Sequence, residues 1–303
     1  MKRMMIVLLA LLVTSMTGSK NCAQGQSGRP KIYGFAYVIF KVTDMEKAKA
    51  FYGSDLELGA GGARNTDSEH PSFVVNQYQR VELENTGPGT KGSYLAEIGF
   101  ATDDLMKMRG YLTAKGVPAG KIETRPDGET FFELSDPEGN RIVFVQQKRD
   151  EAETGTAGAL SHSLIHAGFV VKDRASEDRF YKDILGFRLY WHGGMKEGET
   201  NWVAMQVPDG TDWIEYMLNI PADADKKELG VMNHISLGVV SIKETDERLK
   251  QADVKYTDTP KTGRDGKWQL NLFDPDGTRI EFMEFTPVEK PCCSEFTGNH
   301  PKP

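Results

Sequence analysis

The segment Pro208-Asp-Gly-Thr-Asp-Trp-Ile-Glu-Tyr-Met217 recurs, one residue shorter, as Pro275-Asp-Gly-Thr-Arg-Ile-Glu-Phe-Met283. Both copies lead into an apolar run with a single carboxylate, Glu215 in one and Glu281 in the other. Upstream lies a second matched pair, Ile165-His166 and Asn233-His234, each opening a strand-like apolar stretch. Histidine and glutamate are 49 residues apart in one copy and 47 in the other. A duplicated sequence unit is a duplicated structural unit, so each copy brings one imidazole and one carboxylate to equivalent places. Two imidazoles and two carboxylates are a donor set for a divalent metal ion.

The repeat has a deeper level. Asp136-Pro-Glu-Gly-Asn-Arg-Ile-Val-Phe144 mirrors Asp274-Pro-Asp-Gly-Thr-Arg-Ile-Glu-Phe282, and Phe51-Tyr52 after Asp44 mirrors Phe180-Tyr181 after Asp173. The chain therefore reads as two halves of two modules each. In the third module the pattern predicts a strand from His166 to Val171, then a helix capped by Asp173 or Ser176 and stopped by Gly186. Strands follow at Phe187–Trp191, Asn201–Gln206 and Asp212–Leu218. The fourth module repeats this with a strand from His234, a helix over about Ile242–Ala252, and strands ending in Arg279–Glu284. The expected organisation is a signal peptide at residues 1–23, a first domain at 32–148, a linker at 149–161, a second domain at 162–286 and a tail at 287–303.

The N-terminus is the export expectation. Basic Met1-Lys2-Arg3 precedes an apolar run from Met4 to Val13 and a small, polar stretch to Ser19, with cleavage after Ser19 or Ala23. That run is too short to span a bilayer, which takes about 20 residues. No transmembrane helix is expected, and the protein is expected to be periplasmic or secreted. A lipid anchor on Cys22 is the minority reading, because Ser19-Lys20-Asn21 is a poor context for it. A formal charge of −7 argues against nucleic acid, whose phosphates call for a basic surface. Beyond the leader only Cys292 and Cys293 occur, so the core and not a disulfide framework must hold the fold. Adjacent cysteines close only a strained small ring, and free thiols, an intermolecular bridge or a soft-metal contact are expected.

Strand alternation puts His166, Gly168 and Val170 on one face, and Trp213, Glu215 and Met217 on one face of their strand. A carboxylate among Trp, Ile and Met is costly unless it is paired or metal-bound. Taken singly, each of these residues reads as part of an ordinary half-exposed strand. The fourfold match, in a chain with six histidines, favours a metal site on His166, Glu215, His234 and Glu281. Aligning the halves on the shared anchors places Tyr37, Glu82, Glu97 and Val143 of the first half opposite His166, Glu215, His234 and Glu281. Tyrosine and valine there do not make a divalent-metal site, so the first half is expected to keep the fold without the ion.

The module pattern, the Asp-Pro-Asp-Gly-Thr-Arg-Ile-Glu-Phe strand and the strand-opening histidine resemble the vicinal oxygen chelate superfamily over residues 32–286. That group includes glyoxalase I, extradiol dioxygenases, methylmalonyl-CoA epimerase and the fosfomycin and bleomycin resistance proteins. The resemblance implies an α+β fold of four βαβββ modules forming two tandem vicinal-oxygen-chelate domains. It also implies one divalent ion (nickel, zinc or cobalt) on His166, Glu215, His234 and Glu281, similar to the bacterial glyoxalase I set. The implied reaction is that of a lyase or isomerase moving a proton next to a carbonyl through a metal-stabilised enediolate, with Glu215 or Glu281 as the base. The runner-up is an extradiol dioxygenase using His166, His234 and Glu281 with iron or manganese, and Glu215 discriminates the two. A third reading, from another class, is a non-catalytic small-molecule binding or resistance protein. In each case the partner is a small molecule with vicinal oxygens; association into a homo-oligomer is left open.

Other residues carry two readings each. Export sits badly with a glutathione-derived substrate, and Arg264 and Lys267 are only generic candidates for its carboxylates. All four tryptophans (Trp191, Trp202, Trp213 and Trp268) lie in the second half, as pocket wall or as core. His192 reads as an auxiliary acid or as an exposed turn residue, and Asn271 as a residue facing the ligands. If module 1 paired with module 4 and module 2 with module 3, the four donors would divide between two cups; this is the minority pairing.

Overall fold

The computed structural model describes residues 28–60, 70–87, 94–149 and 160–303. The signal peptide, Cys22 and most of the linker lie outside the described residues. The first half forms β1 (Ile32–Val42), β2 (Gly59–Ala60), β3 (Ser72–Val74), β4 (Arg80–Asn85), β5 (Leu95–Thr102), β6 (Glu123–Thr124), β7 (Thr130–Ser135) and β8 (Arg141–Gln146). The second forms β9 (Ser163–Val170), β10 (Arg188–Gly193), β11 (Trp202–Gln206), β12 (Trp213–Met217), β13 (His234–Val239), β14 (Lys261–Thr262), β15 (Trp268–Phe273) and β16 (Arg279–Glu284). Each half is one curled eight-stranded mixed sheet, ordered β2-β3-β4-β1-β5-β8-β7-β6 and β10-β11-β12-β9-β13-β16-β15-β14. The two sheets are tandem domains of α+β type.

The sheet order decides the pairing of modules. At the centre of the second sheet β9 runs antiparallel to β13, flanked by parallel β12 on one side and parallel β16 on the other. Modules 3 and 4 therefore share one sheet, and the swapped pairing is overturned. It survives only as contact between domains. Tyr181 of the third module donates to Asp136 of the second at 3.1 Å, and Tyr52 of the first donates to Asp274 of the fourth at 3.1 Å. The matched turns cap these contacts. Glu138 accepts from the backbone N–H of Lys172 and Asp173, both at 2.7 Å, and Asp276 from that of Thr43 at 2.8 Å. The repeated Phe-Tyr pairs and Asp-Pro turns are thus the joint between the halves.

Local chemistry explains the helices. Asp44, Asp104, Asp173, Asp225 and Ser241 each accept a backbone N–H of the first turn and start helices at Met45, Leu105, Arg174, Lys226 and Ile242. The first and third continue as wider π-type turns through Ala50–Asp55 and Asp178–Ile184, burying Phe51-Tyr52 and Phe180-Tyr181. Gly186 ends the latter at φ 81°, the left-handed region. The helix Lys226–Met232 was not foreseen, and His166 lies inside β9, which begins at Ser163, not at the strand's opening. One continuous apolar core fills the space under the helices of both halves; smaller clusters line the inside of each cup.

Candidate metal centre

Register brings the donors together in the second cup. Trp213 pairs with His166 and Glu215 with Gly168 across β12 and β9; His234 pairs with Gly168 across β13 and β9; Glu281 pairs with Ser236 across β16 and β13. Four adjacent strands thus deliver one donor each to one face. Gly168 is required there, because a Cβ on it would lie 2.1 Å from Cε1 of His234. His166 and His234 are buried, with their Nε2 atoms 3.1 Å apart. One donor atom from each of His166, Glu215 and His234 lies within 4.8 Å of the others. Glu215 Oε2 is 3.6 Å from Nε2 of His234, and Glu281 Oε2 is 3.3 Å from Nε2 of His166.

A hydrogen bond selects a ligand-ready tautomer of His234. His234 Nδ1 lies 3.0 Å from the carbonyl of Met232, and a carbonyl can only accept. Nδ1 therefore carries the proton, and Nε2 presents its lone pair to the cup. Burial pushes His166 down, and burial together with Arg279 and His166 pushes His234 well down, so both rings are neutral. Burial and the nearby Glu281 raise Glu215 to about 8. Burial acts upward on Glu281 as well, but the His166 hydrogen bond and the Arg279 charge outweigh it and hold it below the usual range. Nδ1 of His166 and Oγ of Ser236 are buried with no partner. Neutral imidazoles, desolvated carboxylates and orphaned polar atoms on one face suit a divalent cation.

Cations of the protein stand close by. Arg279, two residues before Glu281, donates to His234 Nε2 at 2.6 Å. Lys267 is buried, with Nζ donating to the Tyr190 hydroxyl at 3.3 Å and lying 4.5 Å from the Trp213 ring centre. Burial pushes Lys267 down to about 8 and its neighbour Asp265 up to about 6. Glu215 and Glu281 open onto a cavity of about 270 Å³ lined by the rings of Tyr190, Trp191, Trp202, Trp213 and Phe296; Arg264, Asp265 and Gln269 line it too. Trp268 instead packs against the main core.

The first cup has the matching geometry with different chemistry. Ile39 pairs with both Glu82 and Glu97, as Gly168 does with Glu215 and His234, and Val143 stands at the place of Glu281. There Tyr37 donates to Glu97, and Arg125 donates to Tyr37 at 2.6 Å. Arg125 lies 3.4 Å from Glu82, 3.6 Å from Glu97 and 3.6 Å from Glu129. Guanidinium groups supply positive charge where the second cup collects metal donors.

Several sequence expectations change. His192 lies on β10 with its backbone N–H on Ser294 and does not line the cavity. Asn271 pairs with Glu281 on the ligand face, but its side-chain nitrogen donates to Asp258 at 2.7 Å. Cys292 and Cys293 are joined to each other by a disulfide, which corrects the expectation of free thiols, an intermolecular bridge or a metal contact. Cys293 takes a left-handed φ of 76° at that turn. Arg279, Tyr190 and Phe296 were missed: the first looked like a surface strand residue, and the last lies in the tail.

Residues 163–282 match the model of the glyoxalase/bleomycin resistance protein/dioxygenase superfamily. The matched stretch is the second domain, and the match supports the vicinal oxygen chelate superfamily for it. Among vicinal oxygen chelate proteins, lactoylglutathione lyase of Haemophilus influenzae is 29% identical over 123 residues, which cover 40% of this chain and 91% of that one. A probable chloroplastic lactoylglutathione lyase of Arabidopsis thaliana is 26% identical over 133 residues, covering 43% of this chain and 38% of that one. In fold, an extradiol ring-cleaving dioxygenase of Brevibacterium fuscum superposes with a TM-score of 0.64 at 19% identity, covering 89% of this chain and 74% of that one. The homoprotocatechuate 2,3-dioxygenase of Arthrobacter globiformis gives 0.62 at 18% identity, with coverages of 88% and 84%. At that identity the likeness speaks for the fold alone. Among the described residues, no helix is long and apolar enough to cross a membrane.

Proposed function

We propose that the second domain is a metal-dependent lyase or isomerase of glyoxalase type that moves a proton next to a carbonyl. The observation that carries this reading is Glu215, which joins the two imidazoles as a further donor instead of pointing away. With Glu281, four protein donors leave two positions of an octahedral ion, enough for two substrate oxygens and no third ligand. Nickel, zinc or cobalt bound by His166, Glu215, His234 and Glu281 would polarise those oxygens as a Lewis acid.

The protein groups divide the remaining work. Glu215 faces the cavity with 15% of its side chain exposed, where a carboxylate can meet the substrate as general base. It takes the proton and returns it. Glu281, tied to His166, holds that ring in place. The aromatic wall keeps water from the reacting carbon.

A second reading, an extradiol dioxygenase on His166, His234 and Glu281 with iron or manganese, draws support from the aromatic lining, which suits a planar diol. Elemental analysis of tag-free protein separates the readings. About one nickel, zinc or cobalt per chain, lost in both His166→Ala and Glu215→Ala, is the expected result. Iron or manganese that survives Glu215→Ala but not His166→Ala would favour the dioxygenase. No stoichiometric metal after reconstitution would sink both and leave a binding protein. We also place the mature protein outside the cytoplasm, on the signal-like residues 1–23; N-terminal sequencing of the exported chain tests this.

A further inference from the structure

The tail beyond residue 286 is pinned across the edge strand β10. Trp191 Nε1 donates to the Cys292 carbonyl at 3.2 Å, His192 N to Ser294 Oγ at 3.0 Å, and Thr297 N to the Tyr190 carbonyl at 3.0 Å. Farther along, Gln206 Nε2 donates to the Asn299 carbonyl at 2.8 Å. A Cβ on Gly298 would lie 2.3 Å from Gln206 Oε1, which shows how closely the tail passes this side chain. The hydroxyl of Tyr190 bonds Nδ1 of His300 at 2.5 Å. Between these pins Phe296 is set down at the cavity, its ring centre 4.8 Å from that of Tyr190 and 6.4 Å from that of Trp191.

We propose that Phe296 is a specificity-determining residue of the second cup, selecting substrates whose vicinal oxygens are carried on a flat, apolar body. The inference rests on the metal reading only for the chelating end of the substrate. With the tail in place, Tyr190, Trp191, Trp202, Trp213 and Phe296 face a cavity of about 270 Å³ that ends in the carboxylates Glu215 and Glu281. A flat aromatic body gains ring contacts on those walls and buries apolar area. Arg264, Asp265 and Gln269 also line the cavity, so the ring contacts act on the part of the substrate that lies against β10 and the tail. Phe296 supplies the wall that the sheet itself does not.

The test uses two probes with the same chelating end, mandelate with a phenyl group and lactate with a methyl group. Binding to the zinc-loaded full chain is followed by titration calorimetry, with zinc content measured on the same samples. Wild type is expected to prefer mandelate by about tenfold or more, and Phe296→Ala to lose about tenfold for mandelate with little change for lactate. Phe296→Leu, which keeps packing against Tyr190, serves if the alanine variant unfolds, with a loss of about threefold expected on the same basis. Equal binding of the two probes by wild type, or equal loss of both in the variants, would overturn the proposal. A chain that holds no zinc, yet prefers mandelate in a manner dependent on Phe296, would sink the metal reading and keep this one.

Discussion

The guanidinium of Arg279 donates to Nε2 of His234 at 2.6 Å, taking the lone pair that a metal ion would use. At the matching place in the first half, Arg141 Nε lies 2.8 Å from Oε2 of Glu97. The arginine thus belongs to the duplicated unit, and only its partner has changed, from carboxylate to imidazole. In the second cup an ion on His234 would have to displace it.

Removing that competitor is expected to tighten metal binding. Arg279→Gln takes away both a charge-assisted hydrogen bond on His234 and a nearby positive charge, and zinc affinity is expected to rise by about tenfold. Competition against a chromophoric chelator reads this directly. Weaker binding in the variant would mean that Arg279 holds the donors in place instead of competing with the ion.

In the first cup a guanidinium is structural. Arg125 lies within 3.6 Å of Glu82, Glu97 and Glu129, so Arg125→Met removes one of the guanidinium groups that neutralise them, with Arg80 and Arg141 still in place, at a cost of roughly 2 kcal/mol. All four tryptophans lie in the second half. Urea unfolding followed by circular dichroism is therefore expected to show an early transition that tryptophan fluorescence does not. Coincident transitions in the variant would refute a local effect.

A pH dependence follows from the joint between the halves. Glu177 is fully buried, and one of its carboxyl oxygens has no partner. Burial, then the charge of Asp136, raises it from 4.5 to about 8. The folded state therefore binds its proton more tightly than the unfolded chain. Stability from the neutral form is complete below about pH 4.5 and is lost as pH rises through 8. Glu177→Gln is expected to raise the melting temperature at pH 8 by about 3 °C and to leave it nearly unchanged at pH 4. An equal shift at both pH values would point to packing instead of protonation.

The same joint makes its tyrosines equivalent. Tyr52→Phe and Tyr181→Phe each remove a buried hydroxyl from a buried aspartate, Asp274 or Asp136, and each is expected to cost about 1–2 kcal/mol. Chemical denaturation measures this. A neutral result at one site only would break the pseudo-symmetry of the contact.

Much of the site was legible in the sequence because it lies in strands of fixed alternation within a duplicated unit. Once the repeat is seen, His166, Glu215, His234 and Glu281 must occupy equivalent faces, and the first-half residues Tyr37, Glu82, Glu97 and Val143 can be assigned by the same register. Arg279 was not legible, because an arginine at a strand start looks the same whether it meets water or a histidine. Phe296 and His300 were hidden for a different reason. The tail has no periodicity, and its place depends on single hydrogen bonds to β10.

The amino-acid sequence by itself determined the four-module architecture and the residue types offered to each cup, because periodicity and duplication are local properties of the chain. Only the tertiary structure decided that modules 3 and 4 share a sheet, that Arg279 faces His234, and that the tail sets Phe296 at the cavity. Those outcomes depend on contacts between residues far apart in the chain, where shape and desolvation choose among partners that local pattern leaves equivalent.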